Sequence, residues 1–344
     1  MKRIWTLAAS GLLLVVTAAL VLFAPTGFVV WSPGSAVDLV DPANPVIQVQ
    51  SGAGAPGGHI LATSMVATGR ASSASLAEIV VAYWSPNHAV LPWDAVYSPG
   101  QTAAEAAEAD RQATEASREQ ALAAGAAAAD VLVEPRPKVL SVRQSGPAYG
   151  LLLPGDLILT IDNTQMAGDD EARDYIRTKK KVGDPIVFTV QRGEKRVTIT
   201  IPKLAGSSSD GTVPTAGVTL GPGFWYSPRI SVTLETEAGA ASQGLALALA
   251  TYDLVLGRDI AAGTTVAAVG RVGADGTVSQ VSGINEHAMS AWTAGADWLI
   301  IPRANCADVE GRFAPMTIVP VQSLDEAITA LDGIGIPGTA PPHC

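Results

Sequence analysis

The apolar positions of the chain first form one solid block. No charged residue stands between Arg3 and Asp38, and Ile4 to Phe23 is almost wholly apolar. About 20 such residues span a bilayer core, so the pattern predicts an uncleaved signal anchor over 1–28. A cleaved signal peptide has a shorter apolar core and a small-x-small site; here Phe23-Ala24-Pro25 puts proline where cleavage is disfavoured. Lys2 and Arg3 stay in the cytoplasm by the positive-inside rule, which sends the chain from about residue 30 onward outside.

After this block the pattern breaks into short pieces. Over 29–100, Val46-Ile47-Gln48-Val49 and Ile60-Leu61-Ala62-Thr63 read as strands, with a Gly-rich break at 52–58. Ser75 and Glu78 have capping-box spacing ahead of a helix reaching Trp84. The segment 101–130 is dense in Ala and Glu with little apolar face, which predicts a solvent-exposed or lightly packed helix without chemistry. Over 131–204, Leu157 to Ile161 is a strand, Asp170 to Thr178 a helix, and Ile186 to Val190 with Val197 to Ile201 a hairpin. A Ser/Gly/Asp/Pro linker, 205–216, follows.

The last block, 217–344, alternates in type. Leu245 to Leu256 is apolar nearly all round, the mark of a fully buried helix, and Gly257 is a natural stop. Thr265 to Val272 and Thr277 to Val281 predict a hairpin, Asn285 to Ala294 a helix, and Trp298 to Ile301 a buried strand. Ser323 and Glu326 open a final helix that Gly333 should end. The fold class is α+β and multidomain.

Composition narrows the function. Acids outnumber bases 32 to 22, for a net charge of −10, and a nucleic-acid binder needs a basic face instead. With 48% hydrophobic residues the chain can build cores. Two cysteines in 344 residues exclude a disulfide-rich scaffold and a Cys-rich zinc site. No metal or cofactor is expected. Cys306 and Cys344 both lie outside the cytoplasm in this reading, which favours a bridge between them over two unrelated thiols. No Gly-x-x-x-x-Gly-Lys-Ser/Thr loop occurs, so any activity is expected to be ATP-independent.

Two resemblances follow from particular residues. Ser145-Gly146-Pro147-Ala148, Leu153-Pro154-Gly155-Asp156-Leu157-Ile158 and Ile161-Asp162-Asn163 resemble a PDZ domain of the bacterial protease-associated kind, over 131–204. The resemblance implies binding of an extended peptide along a sheet edge. Arg136 and Lys138 lie near the expected groove. Ser242-Gln243-Gly244-Leu245-Ala246-Leu247-Ala248-Leu249-Ala250, with Tyr252-Asp253-Leu254, resembles the nucleophile segment of Lon-type serine proteases. Asp275-Gly276-Thr277-Val278, Ser282-Gly283-Ile284, and Ala294-Gly295-Ala296 ahead of Ile300-Ile301-Pro302 match in order, so the resemblance spans 217–332. With the anchor and Val29-Val30-Trp31-Ser32-Pro33-Gly34, the whole chain is similar to membrane-anchored PDZ-containing Lon-like proteins of Gram-positive, high-GC bacteria. That likeness carries expectations of a cell-membrane location, protein or peptide substrates held by the PDZ groove, and a hexameric ring.

The resemblance makes Ser242 the nucleophile; taken alone, a serine there is an ordinary helix N-cap. Free N–H groups at the helix start would hold an oxyanion. The family uses a Ser–Lys dyad, and its lysine position falls on His287, 45 residues after Ser242. A supporting threonine falls on Val269. Histidine needs no pKa shift to act as base at neutral pH, but most such sites orient the ring with a carboxylate. Near His287 in sequence none stands one turn away, which leaves Asp259 or Asp275 to approach through the fold. Two functions remain open: an extracytoplasmic serine endopeptidase using Ser242 and His287, or an inactive pseudoprotease acting as a PDZ scaffold.

Overall fold

The structure is a computed structural model. It describes residues 2–24, 26–49, 57–68, 74–85, 88–97, 100, 102–193, 195–206, 211–226, 230–232, 240–309, 313–334 and 343–344. Most of the expected Gly-rich break at 52–58, the middle of the linker at 205–216 and residues 335–342 lie outside the described residues.

Two sheets organise the chain. The first has six strands in the order Thr317–Val321, Trp298–Pro302, Thr265–Ala268, His59–Thr68, Phe28–Asp38, Ala89–Pro92. Its first three pairings are parallel and the last two antiparallel. The parallel strands are buried runs such as Leu299, Ile300 and Ile301, as expected of strands covered on both faces. Helices Gly244–Leu256, Ile284–Thr293 and Leu324–Ile334 supply that cover. Sequence had set 29–100 apart from 217–344, but His59–Thr68 pairs with Thr265–Ala268, so strands from both stretches form one sheet.

The second sheet, wholly antiparallel, runs Val218–Tyr226, Val133–Val142, Leu157–Ile161, Ile186–Arg192, Lys195–Ile201. Helix Asp169–Lys179 covers it, and Phe188, Ile158, Ile161 and Met166 fill its core. The strand Val218–Tyr226 lies beyond the expected boundary at 204 and closes one end of this sheet.

Three expectations are corrected. Lys2–Leu22 is a helix, but among the described residues no helix is long and apolar enough to cross a membrane, which corrects the expected anchor over 1–28. Second, the Ala/Glu-rich helix, Ala103–Ala128, is not lightly packed: Ala121, Leu122, Ala123, Ala124 and Ala126 are all buried. Small side chains let it lie directly on helix Gly244–Leu256; a Cβ at Gly125 would collide with the carbonyl of Ala248. Third, the first strand of the expected hairpin splits. Thr265–Ala268 stays in the main sheet, and only Arg271–Val272 turns back against Val278–Ser279.

Candidate active site

Ser242 sits in a 3₁₀ turn, Ala240–Gln243, that runs straight into helix Gly244–Leu256. Every residue from Gly244 to Asp253 is buried, which suits a helix apolar nearly all round, and Gly257 ends it in the left-handed conformation. The turn is clamped on two sides. Gly270 N–H donates to the Ser242 carbonyl at 2.7 Å, and the Gly270 carbonyl accepts from Leu245 N–H at 2.9 Å. The Ser117 hydroxyl, on the Ala/Glu-rich helix, donates to the Ala241 carbonyl at 2.8 Å. The N-cap position of the helix falls on Gln243, whose side chain makes no cap bond. The expectation of free helix-start N–H groups is narrowed, because a 3₁₀ turn precedes the helix and Leu245 N–H is taken by Gly270.

The Ser242 Oγ lies 2.9 Å from His287 Nε2. His287 stands in the first turn of helix Ile284–Thr293 and is fully buried. Its other nitrogen, Nδ1, lies 3.0 Å from Oγ1 of Thr63. A threonine hydroxyl can accept from Nδ1–H, which leaves Nε2 as the acceptor for the serine proton. Burial pushes the His287 pKa down to about 4, opposed by the Thr63 backbone. The ring is therefore neutral at pH 7, the form a general base needs.

Neither expected acid reaches the ring. Asp259 accepts from Gly58 and Gly263 N–H groups, and Asp275 accepts from Thr277. Thr63 takes the orienting place. Sequence reasoning missed it because it stands 224 residues before His287. Register places it: Ala268, the last residue of its strand, pairs with Ala62, so Thr63, midway along His59–Thr68, follows the last paired position just as Val269 does. The hydroxyl expected at Val269 is supplied one strand over. Only the Thr at the end of the run Ile60-Leu61-Ala62-Thr63 could have signalled this.

Beside Ser242 and His287 opens a cleft of about 270 Å³, lined also by Met65, Arg271, Gln280 and Val281. No cluster of side chains suited to a metal ion occurs among the described residues. In the second sheet, Arg136 and Lys138 are already engaged. Arg136 pairs with Glu134 at 2.6 Å, and Lys138 bridges Glu115 and Glu119 at 2.6 Å each. Neither is poised for a ligand. The outer strand of that sheet, Val218–Tyr226, has no strand on its far side among the described residues.

Comparison with known proteins agrees with both halves of this description. Residues 119–202 match the PDZ domain family, and residues 236–331 match the Lon protease (S16) C-terminal proteolytic domain. A Lon protease of Chloroflexus aurantiacus is 29% identical over 167 residues, covering 43% of this chain and 20% of that protein. The chain thus spans about a fifth of the length of that curated relative. Solved PDZ domains of SdrC-like proteins from Listeria monocytogenes and Listeria innocua are 36% and 38% identical. Each covers 25% of this chain, at TM-scores of 0.23, and is itself 86% and 92% covered. The chain carries a PDZ domain and, C-terminal to it, a Lon-type proteolytic domain.

Proposed function

We propose that the protein is an ATP-independent serine endopeptidase in which Ser242 is the nucleophile and His287 the general base. The observation that carries the reading is the chain of contacts Ser242 Oγ, His287 Nε2, His287 Nδ1, Thr63 Oγ1, at 2.9 and 3.0 Å across the ring. A peptide carbonyl enters the cleft and Ser242 Oγ attacks it while Nε2 takes the hydroxyl proton. A tetrahedral oxyanion forms, held by backbone N–H groups of the turn that carries Ser242. The C–N bond breaks, and the imidazolium returns its proton to the leaving amine. Water then hydrolyses the acyl-enzyme by the same route in reverse. Thr63 holds the tautomer but adds no negative charge, so the imidazolium is less stabilised than beside a carboxylate. We expect a slower enzyme for that reason.

The PDZ domain presents Val218–Tyr226 as the strand edge that captures an extended segment. The location we infer is outside the cytoplasm, supported by the Cys306–Cys344 disulfide, a bond that persists in oxidising compartments. The pairing of a PDZ block with a Lon-type domain supports placement among the PDZ-containing Lon-like proteins of high-GC Gram-positive bacteria.

Incubation of the full chain with unfolded protein, followed by mass spectrometry of the products, tests the reading. Discrete internal cuts that vanish in Ser242→Ala support it. The pseudoprotease scaffold is favoured by one observation, the burial of His287 without a countercharge. It takes over if wild type and Ser242→Ala give identical products.

A further inference from the structure

The cleft beside Ser242 contains one formal charge among its described lining residues, the guanidinium of Arg271. Arg271 is placed firmly. Gly270, directly before it, donates to the Ser242 carbonyl at 2.7 Å, and Arg271 itself pairs with Ser279 across the short hairpin. Its backbone is thus one residue from the contact that fixes the nucleophile. Its side chain is exposed.

Most arginines of this acidic chain are paired. Arg111, Arg118, Arg136, Arg173, Arg177, Arg192, Arg258 and Arg303 each lie within 4.0 Å of a carboxylate. Arg271 has no carboxylate partner among the described residues, although Asp275 stands only four positions on. The Asp275 carboxylate is turned to Thr277 instead, accepting from its N–H at 3.0 Å and its hydroxyl at 2.9 Å. Glu286, the acid nearest His287 in sequence, is buried and absent from the cleft wall. Met65 and Val281 complete an apolar wall on which an arginine stem can rest.

We propose that Arg271 is a specificity-determining residue that reads a carboxylate of the substrate, an Asp or Glu side chain flanking the bond that Ser242 attacks. The proposal rests on the peptidase reading. A chain of net charge −10 repels acidic peptides at long range. A cation beside Ser242 without a carboxylate partner among the described residues gives such peptides one favourable register, and a planar guanidinium can hold a carboxylate through two parallel hydrogen bonds.

The test uses the full chain and matched peptides that differ only by Asp or Glu against Asn or Gln near a mapped cut, all with amidated C-termini. Wild type should cleave the acidic peptide about fivefold faster than its amide partner, the scale of an exposed ion pair, with the ratio falling as salt is raised. The ratio should drop to about one in Arg271→Ala and invert toward Lys-containing peptides in Arg271→Glu. Peptides with free C-termini separate the alternative source: a preference seen only there would make the C-terminal carboxylate the ligand and overturn the side-chain assignment. An acid preference unchanged in Arg271→Glu, or none in wild type, also overturns it. If no peptide is cleaved, binding of the same pairs to Ser242→Ala, read by fluorescence anisotropy, decides the point separately. Tighter binding of the acidic peptide, lost with Arg271→Glu, upholds Arg271 while the catalytic reading falls; equal binding of the pair overturns Arg271 as well.

Discussion

His287 faces two hydroxyls at once, and the difference between them sets the chemistry. With the ring protonated at Nδ1, Ser242 donates to Nε2 while Thr63 accepts from Nδ1–H. Thr63→Val removes the acceptor and frees the ring to adopt the wrong tautomer. We expect serine reactivity to fall roughly tenfold to hundredfold, less than the ~10⁴ lost when a triad carboxylate is replaced. Thr63→Ser should restore most of it, which a merely structural role would not require. The pH dependence is equally specific. With the His287 pKa near 4, kcat/KM should hold to about pH 5 and fall with a midpoint near 4, not at the ordinary imidazole value near 6.5. Global stability is a poorer reporter. His287 favours the folded state fully above pH 6.5, and that contribution is lost as pH falls through 4. Asp253, raised to about 6 by burial, acts oppositely: its contribution is present below about 3.8 and lost as pH rises through 6. Between 4 and 6 the two slopes offset.

Among elements, the Ala/Glu-rich helix Ala103–Ala128 joins the two halves of the molecule. Glu115 and Glu119 hold Lys138 of the PDZ sheet, and Ser117, between them, holds the carbonyl beside the nucleophile. Burial raises the Glu119 carboxyl, with Lys138 opposing it. Lys138→Met leaves two carboxylates without their cation and should cost on the order of 3 kcal/mol, read by thermal or urea unfolding. Adding Glu119→Leu should recover much of that loss, because an apolar pair fills the space without an unpaired charge. The sequence showed this helix and its length but not its burial. Its charges crowd the first two-thirds, and alanine reads as neutral even where close contact makes it core. The nucleophile helix was legible because Leu245 to Leu256 is apolar on every face. Thr63 was not, since a strand's register against a partner two hundred residues away is set only by the folded sheet.

At the scale of the whole molecule, Cys306 and Cys344 form a disulfide that ties Cys344 to the first sheet, where Cys344 N–H also donates to the Ile318 carbonyl at 3.3 Å. The bridge closes a span of 38 residues, worth roughly 3–4 kcal/mol in the chain-entropy model. Cys306→Ser should lower the unfolding midpoint accordingly, and non-reduced peptide mapping should show the linked pair in wild type. The PDZ and Lon-type blocks were legible from local motifs, whereas the joining of 29–100 to the sheet of the Lon-type block was not, because parallel pairing leaves no mark in either strand alone. The central claim is that Ser242 is activated by His287. It is tested most directly by the rate at which a fluorophosphonate adds to the full chain, followed by intact mass and mapped by peptide sequencing. The account predicts one adduct, on Ser242, formed at a rate that holds to about pH 5 and drops at least a hundredfold in His287→Ala. No adduct on folded wild type, or an adduct on Ser242 whose rate is unchanged in His287→Ala, would contradict it.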